Sequence, residues 1–194
     1  MSTEQPEYTE RLRSAGYGWK RFLPVQVPYR WNLRRLQPGF VLDLGCGIGR
    51  NLLHLQGNGI GVDHNASSVA LARAEGLHAL TPEQFALSQS TQPRLFDSLL
   101  ASHVLEHMPE TDAVALLKQY EQWVKPGGRL ILITPQESGF RSDPTHVHFM
   151  DFVSLRGVAK AAGFENVLRE YSFPFPRLFG CVFKHNEFVG VYGR

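Results

Sequence analysis

The sequence predicts an α/β fold built on a doubly wound, mostly parallel seven-stranded sheet with an antiparallel last strand. Three observations lead there. Short apolar runs of four to seven residues alternate with longer segments of helical period, the pattern of βαβ units. A glycine-rich turn joins the first apolar run to a helical segment. The chain closes on two β-rich segments joined by a proline-containing loop too short for a crossover helix, which makes that pair antiparallel.

Taken in order, residues 1–39 carry Tyr17, Trp19, Phe22, Tyr29 and Trp31 among basic residues. One or two helices are expected there, either as a lid over the strand ends or as a plain cap on the core. Strands are expected at 40–44 (FVLDL), 60–63 (IGVD), 77–80 (LHAL), 96–102 (FDSLLAS) and 129–134 (RLILIT). Their near-continuous apolar character is that of strands covered on both faces. Crossover helices are expected at 66–75, stopped by Gly76, and at 111–124, with Val114, Leu117, Tyr120 and Val124 on one stripe. A further helix at 151–162 places Phe152, Leu155, Val158 and Ala162 on one face and stops at Gly163. The closing strands are expected at 166–173 and 187–192, with Pro174 and Pro176 between them.

With 194 residues, 43% of them hydrophobic, the chain can bury one sizeable core and is read as a single domain over 1–194. The formal net charge of +2 comes with no polybasic patch, which argues against a nucleic-acid partner. No apolar run approaches the ~18 residues needed to span a bilayer, and the opening MSTEQPEYTERLR is too polar for a secretory signal. A cytoplasmic protein without membrane attachment is expected. The two cysteines, Cys46 and Cys181, form neither a close pair nor a metal-type set, as in a reduced compartment. A small molecule is the expected partner, and the sequence leaves the oligomeric state open.

The strongest local signal is VLDLGCGIGRN, where a buried strand runs into Gly45, Gly47 and Gly49 and then into a helical segment. Such a turn lets backbone amides approach a nucleotide-like ligand. A dinucleotide fingerprint, G-x-G-x-x-G, requires glycine where Arg50 stands, and the Asp43 carboxylate would repel a pyrophosphate. Asp43 suits an ammonium group or a role in holding the loop. The run D-x-G-x-G-x-G at 43–49 resembles motif I of class I S-adenosylmethionine-dependent methyltransferases. GVDHN, LLASHVLEHM and VKPGGRLILITP are similar to that family's later motifs in the same order, and NEFVGVYGR is similar to its last strand. The resemblance implies a Rossmann-like methyltransferase fold and S-adenosyl-L-methionine as cofactor. It further implies cofactor contacts from Asp43, Gly45, Cys46, Gly47 and Gly49 in the turn, and from Asp63 on the ribose hydroxyls with His64 beside it. Glu83 stands where the family places an adenine-binding acid, Gln84 is its possible substitute, and Ser102 and His103 would line the cofactor. Glu83 also suits a plain first-turn helix charge after Pro82.

Histidines form the second signal. Residues 103–107, His-Val-Leu-Glu-His, match the H-x-x-E-H signature of inverted zinc peptidases, but the segment follows a buried strand and Pro109 soon closes it. It has no room for two imidazoles a turn apart on one helix face. Asp143, His146 and His148 sit in a loop after the fifth strand, and that loop is expected to meet 103–107 outside the strand ends. The catalytic candidates are therefore His107, His146, His148 and Asp143, as general base, as a hydrogen-bond clamp on a polar acceptor or as a metal site, and no metal is assigned. A turn started by Asp143 and Pro144, with the histidines capping the next helix, explains the same residues without catalysis. At the fourth strand Ala101-Ser102-His103-Val104 replaces the Asn-Pro-Pro-aromatic motif of amide and base N-methyltransferases. The expected reaction is methyl transfer to a small polar acceptor, O-methylation favoured. The rival readings are a cofactor-binding module without catalysis and a nicotinamide-dependent oxidoreductase on a similar fold.

Overall fold

A computed structural model of the chain describes residues 26–88 and 93–194. The expectations placed on Tyr17, Trp19 and Phe22 lie outside the described residues. Seven strands form one sheet in the order β3-β2-β1-β4-β5-β7-β6, and the described residues fall into two compact units, 26–88 and 93–194.

In the first unit, α1 (Val27–Arg35) carries Pro28 in its first turn and ends in Arg34 and Arg35, charges suited to a helix C-terminus. Asn32 and Leu33 are buried, whereas Trp31 is 56% exposed, so of the two roles expected for the aromatics, lid or core cap, Trp31 does not take the second. Strand β1 (Val41–Leu44) is buried at every position and pairs in parallel with β2 (Gly59–Val62), with Asp43 opposite Gly61. Between them lies α2 (Arg50–His54), a helix of little more than one turn. Gly59 and Gly61 admit this approach: a Cβ on Gly59 would sit 2.4 Å from Val41 O, and one on Gly61 would sit 2.6 Å from Cys46 Sγ. Helix α3 (Ala66–Ala74) starts at Asn65, whose side chain accepts from the amides of Ser67 and Ser68, and stops before Gly76 at φ +79°. Short β3 (Ala79–Leu80) pairs in parallel with β2 and leads into α4 (Pro82–Leu87).

In the second unit, β4 (Phe96–Ser102) falls where the sequence placed it and pairs in parallel with β5 (Val124–Pro135). Strand β5 is longer than the apolar run alone indicated. It includes the Pro126-Gly127-Gly128 turn as an irregularity, the register passing from Phe96↔Val124 to Ser98↔Arg129. For the same reason Val124 opens the strand and does not complete the helix stripe. Helix α5 (Glu110–Glu121) buries Ala113, Leu117 and Tyr120. The short α6 (Glu137–Arg141) follows β5, and α7 (Phe152–Ala161) buries Leu155, Val158 and Ala159. Asp151 caps α7 by accepting from the amides of Val153 and Ser154, and Gly163 follows its end at φ +85°. Strand β7 (Glu187–Gly193) lies antiparallel between β5 and β6 (Asn166–Phe173), as the proline loop required. No described helix is long and apolar enough to cross a membrane.

Candidate functional site

The glycine turn of the first unit is organised by two carboxylates. Gly45, Gly47 and Gly49 have φ of +64°, +53° and +84°, a region that side-chain-bearing residues seldom adopt. Asp63, at the end of β2, accepts from Gly47 N through Oδ2 (2.7 Å) and from Asn65 N through Oδ1 (2.8 Å). It thus ties the turn to the start of α3. Gly45 N and Cys46 N both donate to Val62 O, fixing the exit of β1. Asp43 is wholly buried; Asn51 Nδ2 donates to its Oδ1 at 3.2 Å, and its Oδ2 has no hydrogen-bond partner. Burial pushes its carboxyl up to about 7, and the Asp63 charge adds to the rise while Asn51 opposes it. An orphaned buried carboxylate oxygen beside an ordered amide turn fits a ligand that brings a positive group.

The remaining cradle residues divide by direction. Gly49 is buried, and a Cβ there would lie 2.3 Å from Leu77 Cδ1 and 3.2 Å from Ala72 Cβ, so this glycine serves helix-to-strand packing. The Cys46 side chain sits in the cluster of Leu52, Val69, Ala72, Leu77 and Ala79, which leaves only its backbone for a ligand. Burial pushes its thiol far up. The His64 side chain is 48% exposed, with Nδ1 3.8 Å from Asp63 Oδ1. Glu83 is exposed and accepts from Thr81 Oγ1 at 2.7 Å, while Gln84 closes the capping box with Thr81. Glu83 thus carries the first-turn helix role that the sequence offered as its plain alternative, and Gln84, expected only as a substitute acceptor, completes the cap.

In the second unit the two histidine segments meet. Val147 N and His148 N donate to Glu106 O at 2.8 and 3.2 Å. Residues Leu105–His107 form a single 3-10 turn, and His103 before it has φ +59°. The His103 ring turns toward two carboxylates, with Nε2 2.9 Å from Glu187 Oε1 and Nδ1 3.3 Å from Glu106 Oε1. Partial desolvation lowers its pKa, but the two carboxylates outweigh this and push it up to about 10, so the ring is a cation at neutral pH. This pairing is a second reason that the H-x-x-E-H spacing is not a peptidase zinc pair. Glu106 is wholly buried, and neither of its carboxylate oxygens makes a well-formed hydrogen bond.

His107 and His146 stand edge to face, with ring centroids 4.8 Å apart, and His146 Nε2 lies 4.0 Å from Glu106 Oε1. His146 Nδ1 is 2.8 Å from Phe140 O, and the ring stacks on Phe140. His107 Nδ1 is 3.1 Å from Thr145 Oγ1, whose hydroxyl donates to Asp143 Oδ1 at 2.7 Å. Burial lowers the His107 pKa, and the neighbouring Glu106 carboxylate offsets the shift only in part. Asp143 also accepts from Thr145 N, so it starts a turn and holds His107 through Thr145. His148 leaves this group, its Nε2 lying 3.4 Å from Glu110 Oε2. The structure therefore brings His103, His107 and His146 together around Glu106 and turns His148 away. Glu187, Asn51 and Thr145 were not singled out in the sequence; Glu106 entered only as the acid of the H-x-x-E-H spacing just after a buried strand, whereas nothing local marked Glu187.

A methyltransferase domain family matches residues 17–169 of the chain. Phosphoethanolamine N-methyltransferase 3 of Arabidopsis thaliana is 29% identical over 157 residues, which cover 70% of this chain and 31% of the plant protein. A ubiquinone biosynthesis O-methyltransferase of Xanthomonas euvesicatoria is 29% identical over 119 residues, covering 57% of this chain and 49% of its own length. The chain thus spans half or less of these curated relatives. Among solved structures, magnesium protoporphyrin IX methyltransferase from Synechocystis with bound SAH has a TM-score of 0.68 at 16% identity, covering 99% of this chain and 96% of the other, a likeness of fold. The family match over most of the chain, together with the Asp43 to Gly49 turn, establishes that this chain belongs to the methyltransferase domain family.

Proposed function

We propose that this chain transfers the methyl group of S-adenosyl-L-methionine to a small polar acceptor, with a hydroxyl or carboxyl oxygen favoured. The observation that carries the reading is the glycine turn held by Asp63, with the unpartnered Oδ2 of Asp43 beneath it. The cofactor would supply an activated methyl on a sulfonium leaving group. Asp43 suits the ammonium end of such a ligand, and the remaining lone pairs of Asp63 suit ribose hydroxyls. His107 and His146 would take the proton of an acceptor hydroxyl, a task for a neutral imidazole. The curated relatives include both an O- and an N-methyltransferase, so the preference for oxygen rests on these histidines and on Ala101-Ser102-His103-Val104 at the end of β4.

Mass spectrometry of a panel of small hydroxyl, carboxyl and amine acceptors incubated with the protein and S-adenosylmethionine tests the reading. A methylated oxygen acceptor is expected, and His107→Ala should lower its turnover at least tenfold while leaving S-adenosylhomocysteine affinity nearly unchanged. Tight cofactor binding with no methylated product from any acceptor would favour a non-catalytic module. Undiminished turnover in both His107→Ala and His146→Ala would remove the base from the account.

A further inference from the structure

Glu106 poses a physical problem that the cofactor cradle does not solve. A wholly buried carboxylate without well-formed hydrogen bonds is costly unless a positive charge compensates it. His103 supplies one such charge at 3.3 Å, but that ring is shared with Glu187. On the other side of Glu106 stand two imidazoles, and one ligand atom from each of Glu106, His107 and His146 falls within 4.8 Å of the others.

The tautomers of both rings point the same way. His146 Nδ1 faces a carbonyl, Phe140 O, at 2.8 Å, so it carries the proton and Nε2 keeps its lone pair. His107 Nδ1 faces Thr145 Oγ1, whose own hydrogen goes to Asp143, and Thr145 O at 3.3 Å. It too acts as donor, leaving Nε2 bare. Ring nitrogens held through Nδ1–H to a carbonyl or to a hydroxyl backed by a carboxylate are the outer support that metal-binding histidines use.

We propose that Glu106, His107 and His146 form a three-ligand site for a divalent transition-metal ion. Two imidazoles and one carboxylate suit zinc, cobalt, manganese or iron(II), and three protein ligands leave positions open for water or another oxygen. Ligand bonds of about 2.0 to 2.2 Å need donor atoms nearer than they now stand, so the rings turn inward by about 1 Å on binding. The ion would supply the charge that Glu106 lacks, and His103 would brace the carboxylate from outside. Binding of the ion stands apart from the methyl-transfer reading; with both Nε2 atoms on the ion the rings act as ligands in place of the base role, and only the ion's use to hold an acceptor oxygen and lower its pKa rests on that reading.

The test is titration of the untagged full chain, stripped with a chelator, with Co²⁺ alone, followed by calorimetry and visible absorption. One ion per chain is expected, with the ligand-field bands of a low-coordinate nitrogen-oxygen site. Glu106→Gln and His146→Ala should each weaken it at least tenfold, and His148→Gln should bind like the parent. No stoichiometric binding by the parent, or parent-like binding in both ligand variants, would overturn the proposal. Proton spectra of the cobalt-loaded parent give a second readout that needs no variant. Two hyperfine-shifted exchangeable imidazole N–H signals are expected, and their absence would overturn the ligand assignment. S-adenosylhomocysteine affinity, measured on the same metal-free protein, reports separately on the cofactor reading.

Discussion

Asp43 is held where a carboxylate is disfavoured, and the sign of its effect on stability follows. Its folded pKa of about 7 lies above the ordinary 3.8, so the folded chain retains a proton that the unfolded chain has lost. That contribution is fully present below about pH 4 and disappears as pH rises through about 7. The neutral variant Asp43→Asn should therefore gain stability relative to the parent between pH 4 and pH 8, with an upper bound of about 4 kcal/mol from linkage. Thermal denaturation of both proteins across that range checks it, and parallel curves would mean that Asp43 is not buried as described. The same variant should bind S-adenosylhomocysteine more weakly, because it cannot compensate an ammonium group. Asp63→Ala should weaken that binding by about 1 to 3 kcal/mol, measured by calorimetry, since it removes acceptors and also frees Gly47 N. The two aspartates were legible in the sequence because their meaning is positional: each sits in or at the end of an apolar run beside the glycine turn. The partners of His103 were not, since Glu187 lies 84 residues away and only strand β7 brings it there. Burial of Glu106 was equally hidden, because an acid after a strand looks the same whether it is solvated or enclosed.

Glycines separate two costs at the level of elements. Gly49 and Gly57 both have φ near +80°, but a Cβ on Gly49 meets Leu77 and Ala72, whereas one on Gly57 meets nothing within 4 Å. Gly57→Ala should cost about 1 to 2 kcal/mol for the left-handed backbone alone. Gly49→Ala should cost more by about 1 to 3 kcal/mol of overpacking, and urea denaturation of the pair isolates that difference. Equal losses would show that α2 does not press on the residues before β3. Helix starts and stops were the most legible part of these elements, since Asn65, Gly76, Asp151 and Gly163 act locally. Strand β5 was underestimated because its first residues, Val124 to Gly128, look like a helix end followed by a turn. Only pairing with β4 makes them strand, and pairing is not a local property.

At the scale of the whole molecule, the alternation of apolar runs and helical segments sufficed for the sheet and its antiparallel close, because connection length decides whether neighbouring strands run parallel. Chemistry is a separate matter, since one α/β fold serves many reactions and the site decides among them. The central claim, that the glycine turn with Asp43 and Asp63 accepts S-adenosylmethionine and not a dinucleotide, is tested most directly by thermal unfolding of the full chain with saturating ligand. S-adenosylhomocysteine at about 100 times its Kd should stabilise the fold by about 2.7 kcal/mol and raise Tm accordingly, while NAD at the same concentration leaves Tm unchanged. A rise in Tm with NAD and none with S-adenosylhomocysteine would contradict the account.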